Sequence, residues 1–367
     1  MSESTAQAGI ELDLTGDVCS LTAALVDLPS VSGAEKALAD AIEGALRTLP
    51  RLSVERYGQN VVARTDLGRG QRVILAGHID TVPIADNVPS RVEGDTLYGC
   101  GSSDMKSGVA VQLRIAAALG AERAPEPTRD VTFVFYDCEE VESARNGLAR
   151  MAAARPEWLH GDFAVLLEPT DGAIEGGCQG TLRAKITVPG VRAHSARSWL
   201  GRNAIHAAAP LLGRLAAYTP RQVEVEGLTF REGLNAVGID GGVAGNVIPD
   251  ECTLLVNYRF APDLTEARAA DHVRELFPEF AVEIVDSAPA ARPGLDLPAA
   301  ADFAARLSQP ARAKLGWTDV ARFAALGVPA VNFGPGDPNL AHTRDEHVDL
   351  AKVRAAEAVM LDWLALR

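Results

Sequence analysis

Apolar residues recur at helical spacing over Asp17–Leu28 and again over Glu35–Leu49, after which the chain switches to short β-rich runs at Leu52–Tyr57, Val61–Thr65 and Val73–Ala76. The pattern then predicts a helix over Lys106–Leu119, an apolar run at Val131–Tyr136, a helix near Ala144–Ala154 and a second apolar run at Phe163–Leu167. These strands are apolar on both faces and alternate with helices. They therefore point to a parallel or mixed sheet covered on two sides.

From about Cys178 the texture changes. Leu182–Val188 alternates as a half-buried strand does, a helix fits Asn203–Ala217, and Ala236–Val243 and Cys252–Phe260 read as antiparallel strands. A helix at Leu264–Leu276 and a strand at Ala281–Val285 complete a β-α-β-β-α-β series, the ferredoxin-like pattern, with one sheet face covered by two helices and one left open. The Pro/Ala-rich stretch Ser287–Pro298 reads as a linker. A helix at Ala300–Leu307, an apolar run at Ala330–Phe333 and a terminal amphipathic helix at Leu350–Leu366 then restore the first texture. A chain of 367 residues also exceeds what one core usually organises. The expected organisation is a discontinuous α/β domain, residues 1–177 and 293–367, carrying an inserted α+β domain, residues 178–292, whose open face or edge is a natural dimer surface.

Composition narrows the function. With 47% apolar and 23% charged residues the chain is of ordinary globular type, and a net charge of −14 disfavours nucleic acid or an anionic membrane as partner. A small anionic substrate stays compatible if arginines gather locally. Met1–Thr15 lacks the series of a secretory signal, and no apolar stretch approaches the roughly 20 residues of a membrane span, so a cytoplasmic protein is expected. The five cysteines are odd in number and form no CxxC pair, which argues against a disulfide framework and a thiolate zinc site.

Candidate chemistry gathers just beyond the apolar strands, where open α/β sheets carry their functional groups. Val73–Ala76 leads into Gly77-His78-Ile79-Asp80, Val131–Tyr136 into Asp137-Cys138-Glu139-Glu140, Phe163–Leu167 into Glu168-Pro169, and Ala330–Phe333 into a glycine-rich loop ending at His342. A further loop, Gly99–Gly108, presents Asp104 ahead of a helix. Two imidazoles and several carboxylates at one sheet edge require a positive counterpart. A mixed nitrogen and oxygen donor set without thiolates suits zinc in catalytic sites, and His78, Asp104, Glu140, Glu168 and His342 supply enough donors for a metal pair.

These segments, together with Ala193-His194-Ser195-Ala196 and Gly245-Asn246-Val247-Ile248-Pro249, resemble the zinc-dependent aminoacylase and carboxypeptidase superfamily in order and spacing over nearly the whole chain. The resemblance implies a zinc-exopeptidase-like fold with a lid domain that dimerises. It implies two Zn²⁺, with Co²⁺ or Mn²⁺ as substitutes: His78 and Glu168 on one, Glu140 and His342 on the other, Asp104 between them. It further implies Asp80 orienting His78, Glu139 as general base, and His194, with Asn246 nearby, stabilising an oxyanion from across a homodimer.

Gly177–Arg183, Ala193–His206, Asn257–Phe260, Gly316–Asp319 and Asn332–Arg344 resemble, within that superfamily, the actinobacterial succinyl-diaminopimelate desuccinylases. An anionic N-acyl amino-acid substrate is then implied. Arg259 and Arg322 are the foremost carboxylate clamps and Thr318 and Asn339 the neutral donors, with Arg183 and Arg197 behind them. The competing readings are an acetylornithine deacetylase or other N-acyl-amino-acid amidohydrolase or carboxypeptidase of the same superfamily, and an inactive dimeric binding protein.

Overall fold

Asp17 starts the first helix, Val18–Val26, by accepting the amide hydrogens of Cys19 and Ser20 on its carboxylate. The computed structural model describes residues 11–365, so Met1–Ile10, and Leu366 in the expected terminal helix, lie outside the described residues. The chain divides into two units, one of Met1–Gly176, Gly294–Arg312 and Arg322–Arg367, the other of Gly177–Pro293 and Ala313–Ala321.

In the first unit the sheet runs in the order Ser53–Tyr57, Asn60–Arg64, Asp130–Tyr136, Arg72–His78, Phe163–Leu166, Ala330–Asn332, Glu175–Gly176. The four strands from Asp130–Tyr136 to Ala330–Asn332 are mutually parallel, and their outer neighbours pair antiparallel. Every residue of Asp130–Tyr136 and Phe163–Leu166 is buried, which explains why these runs carry no polar alternation. Helix Ser107–Gly120 lies so close to the strand ends that a Cβ on Gly108 would sit 2.1 Å from the Leu167 carbonyl oxygen. Within the same core, Phe303 packs at a tilt against Trp363 with centroids 4.7 Å apart and also meets Phe163 and Phe333.

Helix boundaries shift from the sequence expectation for local reasons. Asn146 caps at Ala149, so the fourth expected helix starts only at Gly147. Pro298 stands at the start of Pro298–Ala304, displacing the helix expected at Ala300–Leu307. The helix expected from Lys106 is preceded by an irregular turn, Ser102–Lys106, in which Asp104 (φ −120°, ψ 94°) and Met105 leave helical geometry. A small sheet of Arg91–Glu93, Thr96–Tyr98 and His347–Asp349 had no counterpart in the sequence reading.

The second unit is an antiparallel sheet in the order Gly233–Gly241, Glu251–Phe260, Gly180–Pro189, Ala281–Ala288, which is the ferredoxin-like arrangement. Alternate residues Leu182, Ala184, Ile186 and Val188 face a core shared with Leu211, Ala269 and Val273 of the helices. The helix expected over Asn203–Ala217 is broken into Ala204–Ala207 and Ala209–Ala217, because Pro210 has no N–H to continue the ladder. A hairpin, Gln222–Val225 with Leu228–Arg231, was not expected; its turn residues Glu226 and Gly227 both have positive φ. The stretch Ala313–Ala321, expected in the larger domain, groups with this unit instead. The Lys314 carbonyl accepts the Gln179 backbone amide, the Thr318 carbonyl faces Cys178 Sγ at 3.8 Å, and Trp317 Nε1 donates to the Pro289 carbonyl. All five cysteines are buried and unbridged, and no helix among the described residues is long and apolar enough to cross a membrane.

The aromatic cluster gives a direct test of the first core. Phe303→Ala is expected to cost about 3–5 kcal/mol by chemical denaturation of the first unit; a loss below about 1 kcal/mol would show that the cluster does not anchor the terminal helix.

Candidate metal centre

The parallel strands end at a common edge, and their sequels deliver the candidate groups. His78 is the last residue of Arg72–His78, Asp137–Glu140 follows Asp130–Tyr136, and Glu168 stands two positions beyond Phe163–Leu166. Asp104 comes from the irregular turn, and His342 from the loop after Ala330–Asn332, where it holds φ +63°. A residue with a Cβ keeps that conformation only where its surroundings over-determine it.

Donor atoms of His78, Asp104 and Glu168 lie within 4.8 Å of one another, and so do those of Asp104, Glu140 and His342. Asp104 belongs to both groups and gives each a different oxygen: Oδ1 is 3.1 Å from His78 Nε2, and Oδ2 is 3.5 Å from His342 Nε2. His342 Nε2 is also 2.8 Å from Glu140 Oε1. Donors on opposite sides of one ion with bonds of about 2.1 Å are at most about 4.2 Å apart, so these pairs have the spacing of ligands to a common cation.

The electrostatics favour positive charge in the same places. Burial pushes the His78 imidazole down, but hydrogen bonds with Asp104 and Asp80 and the charge of Glu168 outweigh it and hold its pKa well above the ordinary value. Hydrogen bonds with Asp104 and then Glu140 push His342 up to about 10. Burial opposes ionisation of Asp104, yet its hydrogen bonds with His342 and His78 keep the carboxyl well below the usual range. A divalent cation between these groups would supply that positive charge, and its binding would release any proton held on the coordinating imidazole nitrogens. The donor set therefore fits a metal pair.

Asp80 is fully buried and does more than face His78, whose Nδ1 is 3.1 Å from the Asp80 carbonyl and 3.5 Å from its Oδ1. Its carboxylate accepts the amide of Glu139 on Oδ1 at 3.0 Å and that of Glu140 on Oδ2 at 3.1 Å. Ser32 Oγ donates to the same Oδ2 at 2.7 Å. Buried Glu35 supports this turn as well, accepting from Gly33 N at 2.7 Å and Cys138 N at 3.3 Å. Neither Ser32 nor Glu35 was found from the sequence. A serine 48 residues from its acceptor lies in no motif that pattern reading could isolate. Glu35, Asp137 and Cys138 also lie close together, but Asp137 pairs with Arg150, and burial followed by Glu35 pushes the Cys138 thiol up to about 11, away from thiolate.

The remaining candidates divide between the units. Arg322, in the first, donates to Ser143 Oγ at 2.9 Å, and the exposed Asn339 directs its side-chain amide to Asp337 Oδ1 at 2.8 Å. In the second, the exposed His194 pairs through Ala193–His194 with Val247–Ile248, and the backbone carbonyl of Asn246 accepts the Ser195 amide at 2.9 Å. His194 Nδ1 accepts the Ala196 amide at 3.0 Å, which leaves Nε2 carrying the proton in the neutral ring. Thr318 is buried. Arg259 is half-buried opposite Thr181, and burial and then the neighbouring Arg183 push its pKa down. Arg183 itself is 3.3 Å from Asp286.

Comparison with known proteins bears on this arrangement. The sequence profile of peptidase family M20/M25/M40 matches residues 74–365. The chain is 55% identical over 356 residues to a Mycobacterium tuberculosis protein assigned as succinyl-diaminopimelate desuccinylase DapE, covering 96% of this chain and 99% of that one. It is 50% identical over 364 residues to succinyl-diaminopimelate desuccinylase of Corynebacterium glutamicum, covering 96% and 98%. Among solved structures, a tripeptidase from Staphylococcus aureus superposes with a TM-score of 0.79 at 20% identity, over 95% of this chain and 96% of the other.

The double acceptance by Asp80 predicts that Asp80→Ala speeds hydrogen exchange at the Glu139 and Glu140 amides by roughly 10- to 100-fold, the loss of one charge-assisted hydrogen bond at each. Protection of Val131–Phe135 should not change. Unaltered exchange at both glutamates would show that Asp80 does not hold the turn.

Proposed function

Because the chain belongs to peptidase family M20/M25/M40, shown by the profile match over residues 74–365, we propose that it is a metal-dependent amide hydrolase that converts N-succinyl-LL-2,6-diaminopimelate and water to LL-2,6-diaminopimelate and succinate. The observation that carries the hydrolase is the pair of donor triads sharing Asp104. The succinyl substrate rests on 55% and 50% identity over nearly full length to proteins named for that activity. The reaction belongs to lysine and diaminopimelate biosynthesis, in the cytoplasm.

In this reading His78 and Glu168 hold one divalent ion and Glu140 and His342 the other, with zinc the metal best suited to the donors. When bound, the pair supplies a Lewis acid that brings the pKa of water toward about 7 and polarises the scissile carbonyl. Glu139 accepts the proton of the attacking water and returns it to the departing amine, so one carboxylate serves both halves of the reaction. Asp80 fixes the backbone of Glu139 and Glu140 and meets the far nitrogen of His78, setting the tautomer in which Nε2 is free to coordinate.

His194 donates from Nε2–H to the oxyanion of the tetrahedral adduct, and it does so from the partner chain of a homodimer. Gly233–Gly241 is an edge strand with Val237 and Ile239 each more than half exposed, a surface that a second copy would pair and cover. Arg259, with no acidic partner among the described residues and Arg183 beside it, provides a site for a substrate carboxylate.

Two measurements follow. The purified enzyme is expected to release succinate from N-succinyl-LL-2,6-diaminopimelate with a far higher kcat/KM than acetate from N-acetylornithine; the reverse ranking would make it a deacetylase. Glu139→Gln and His194→Ala are each expected to lose about 10²- to 10⁴-fold in kcat. Mixing the two variants should restore part of the activity, because a mixed dimer holds one site with Glu139 from one chain and His194 from the other. No recovery in a mixture shown to contain mixed dimers would place His194 in its own chain's site or outside catalysis.

A further inference from the structure

Glu346 lies four residues past His342 and is only 2% exposed. Its carboxylate accepts three backbone N–H groups, all from the turn that carries Asp104: Gly101 on Oε2 at 2.9 Å, and Ser103 and Asp104 on Oε1 at 3.0 and 2.9 Å. The Glu346 carbonyl accepts a fourth, from Gly99, at 3.0 Å. The turn is also closely packed. Gly101 holds φ +79°, and a Cβ there would stand 2.7 Å from Thr81 Cγ2.

Burial pushes the Glu346 carboxyl up to about 7, against the three N–H donors, which favour its ionised form. A neutral side chain could close a turn at lower cost. What this carboxylate adds is a tie between two segments distant in sequence, the turn that presents Asp104 and the loop that presents His342. Asp104 can offer one oxygen to each triad only if those two segments keep a fixed register. We propose that Glu346 is a positioning residue for the metal pair: it holds the Asp104 turn in register with His342 and so sets how tightly the second ion is retained. This rests on the reading of the two triads as a dimetal site.

Glu346→Gln keeps the size of the side chain but turns an NH₂ toward an N–H donor, so at least one of the three bonds fails. The test is titration of the metal-free, full-length protein with Co²⁺, followed by visible absorption and by competition with a chelator. Asp130→Asn is the control. Asp130 is likewise buried and likewise accepts two backbone N–H groups, from Leu67 and Arg69, but it begins its strand at the end away from the site.

Wild type is expected to bind two Co²⁺. Glu346→Gln should bind the second about 10- to 100-fold more weakly, with an altered absorption band and a kcat reduced in the same range at unchanged KM. Asp130→Asn should lose thermal stability yet titrate as wild type does. A Glu346→Gln protein that binds both ions with wild-type affinity and spectrum overturns the proposal, whatever its Tm. Should that variant not fold, Glu346→Asp, which keeps the charge on a shorter arm, must show the weaker second ion, and wild-type titration there overturns the proposal equally. A wild type that takes up fewer than two ions would instead overturn the dimetal reading itself, and this one with it.

Discussion

Asp104 meets two imidazoles at once, one from each of two groups of donors, and the site depends on that shared carboxylate. Its oxygens lie 3.1 Å from His78 and 3.5 Å from His342, side chains that are far apart in the sequence. Glu140 and Glu168 close the two groups. So many carboxylates in a largely buried edge are tolerable only with positive charge among them, and the raised imidazole pKa values at His78 and His342 express that demand.

The fold meets the constraint with backbone hydrogen bonds more than with side-chain packing. Parallel strands bring His78, the Glu139–Glu140 turn and Glu168 to one edge, and close approach of helix Ser107–Gly120 at Gly108 brings the Asp104 turn beside them. Buried carboxylates then fix the turns. Asp80 takes the amides of Glu139 and Glu140, Glu35 takes that of Cys138, and Glu346 takes that of Asp104. Each of these acceptors is more than 40 residues from at least one of its donors, or reaches across from another segment of the chain. The precision of the site is therefore a tertiary property.

That division also explains what could be read from the sequence. The strands that carry His78, Glu140 and Glu168 were legible because burial on both faces leaves continuous apolar runs, and the groups after them stood out as polar interruptions. The ferredoxin-like unit was legible for the opposite reason, since alternation in Gly180–Pro189 and Glu251–Phe260 records one buried face. Glu35, Ser32 and Glu346 were not legible, because a carboxylate that accepts distant backbone N–H groups, or a hydroxyl that donates to a distant carboxylate, leaves no periodic signal. The break at Ala208 and the placement of Ala313–Ala321 were missed because one depends on a single proline and the other on contacts to Gln179 and Cys178. Likeness to the superfamily supplied the pairing of the five donors into two sets, which no spacing rule could have given.

The central claim is that two ions share Asp104, and anomalous diffraction from crystals grown with a divalent transition metal tests it most directly. The account predicts two anomalous peaks per chain about 3.5–4 Å apart, one beside His78 and Glu168, one beside Glu140 and His342, with Asp104 between them. A single peak, or two peaks too far apart for one carboxylate to reach both, would contradict it.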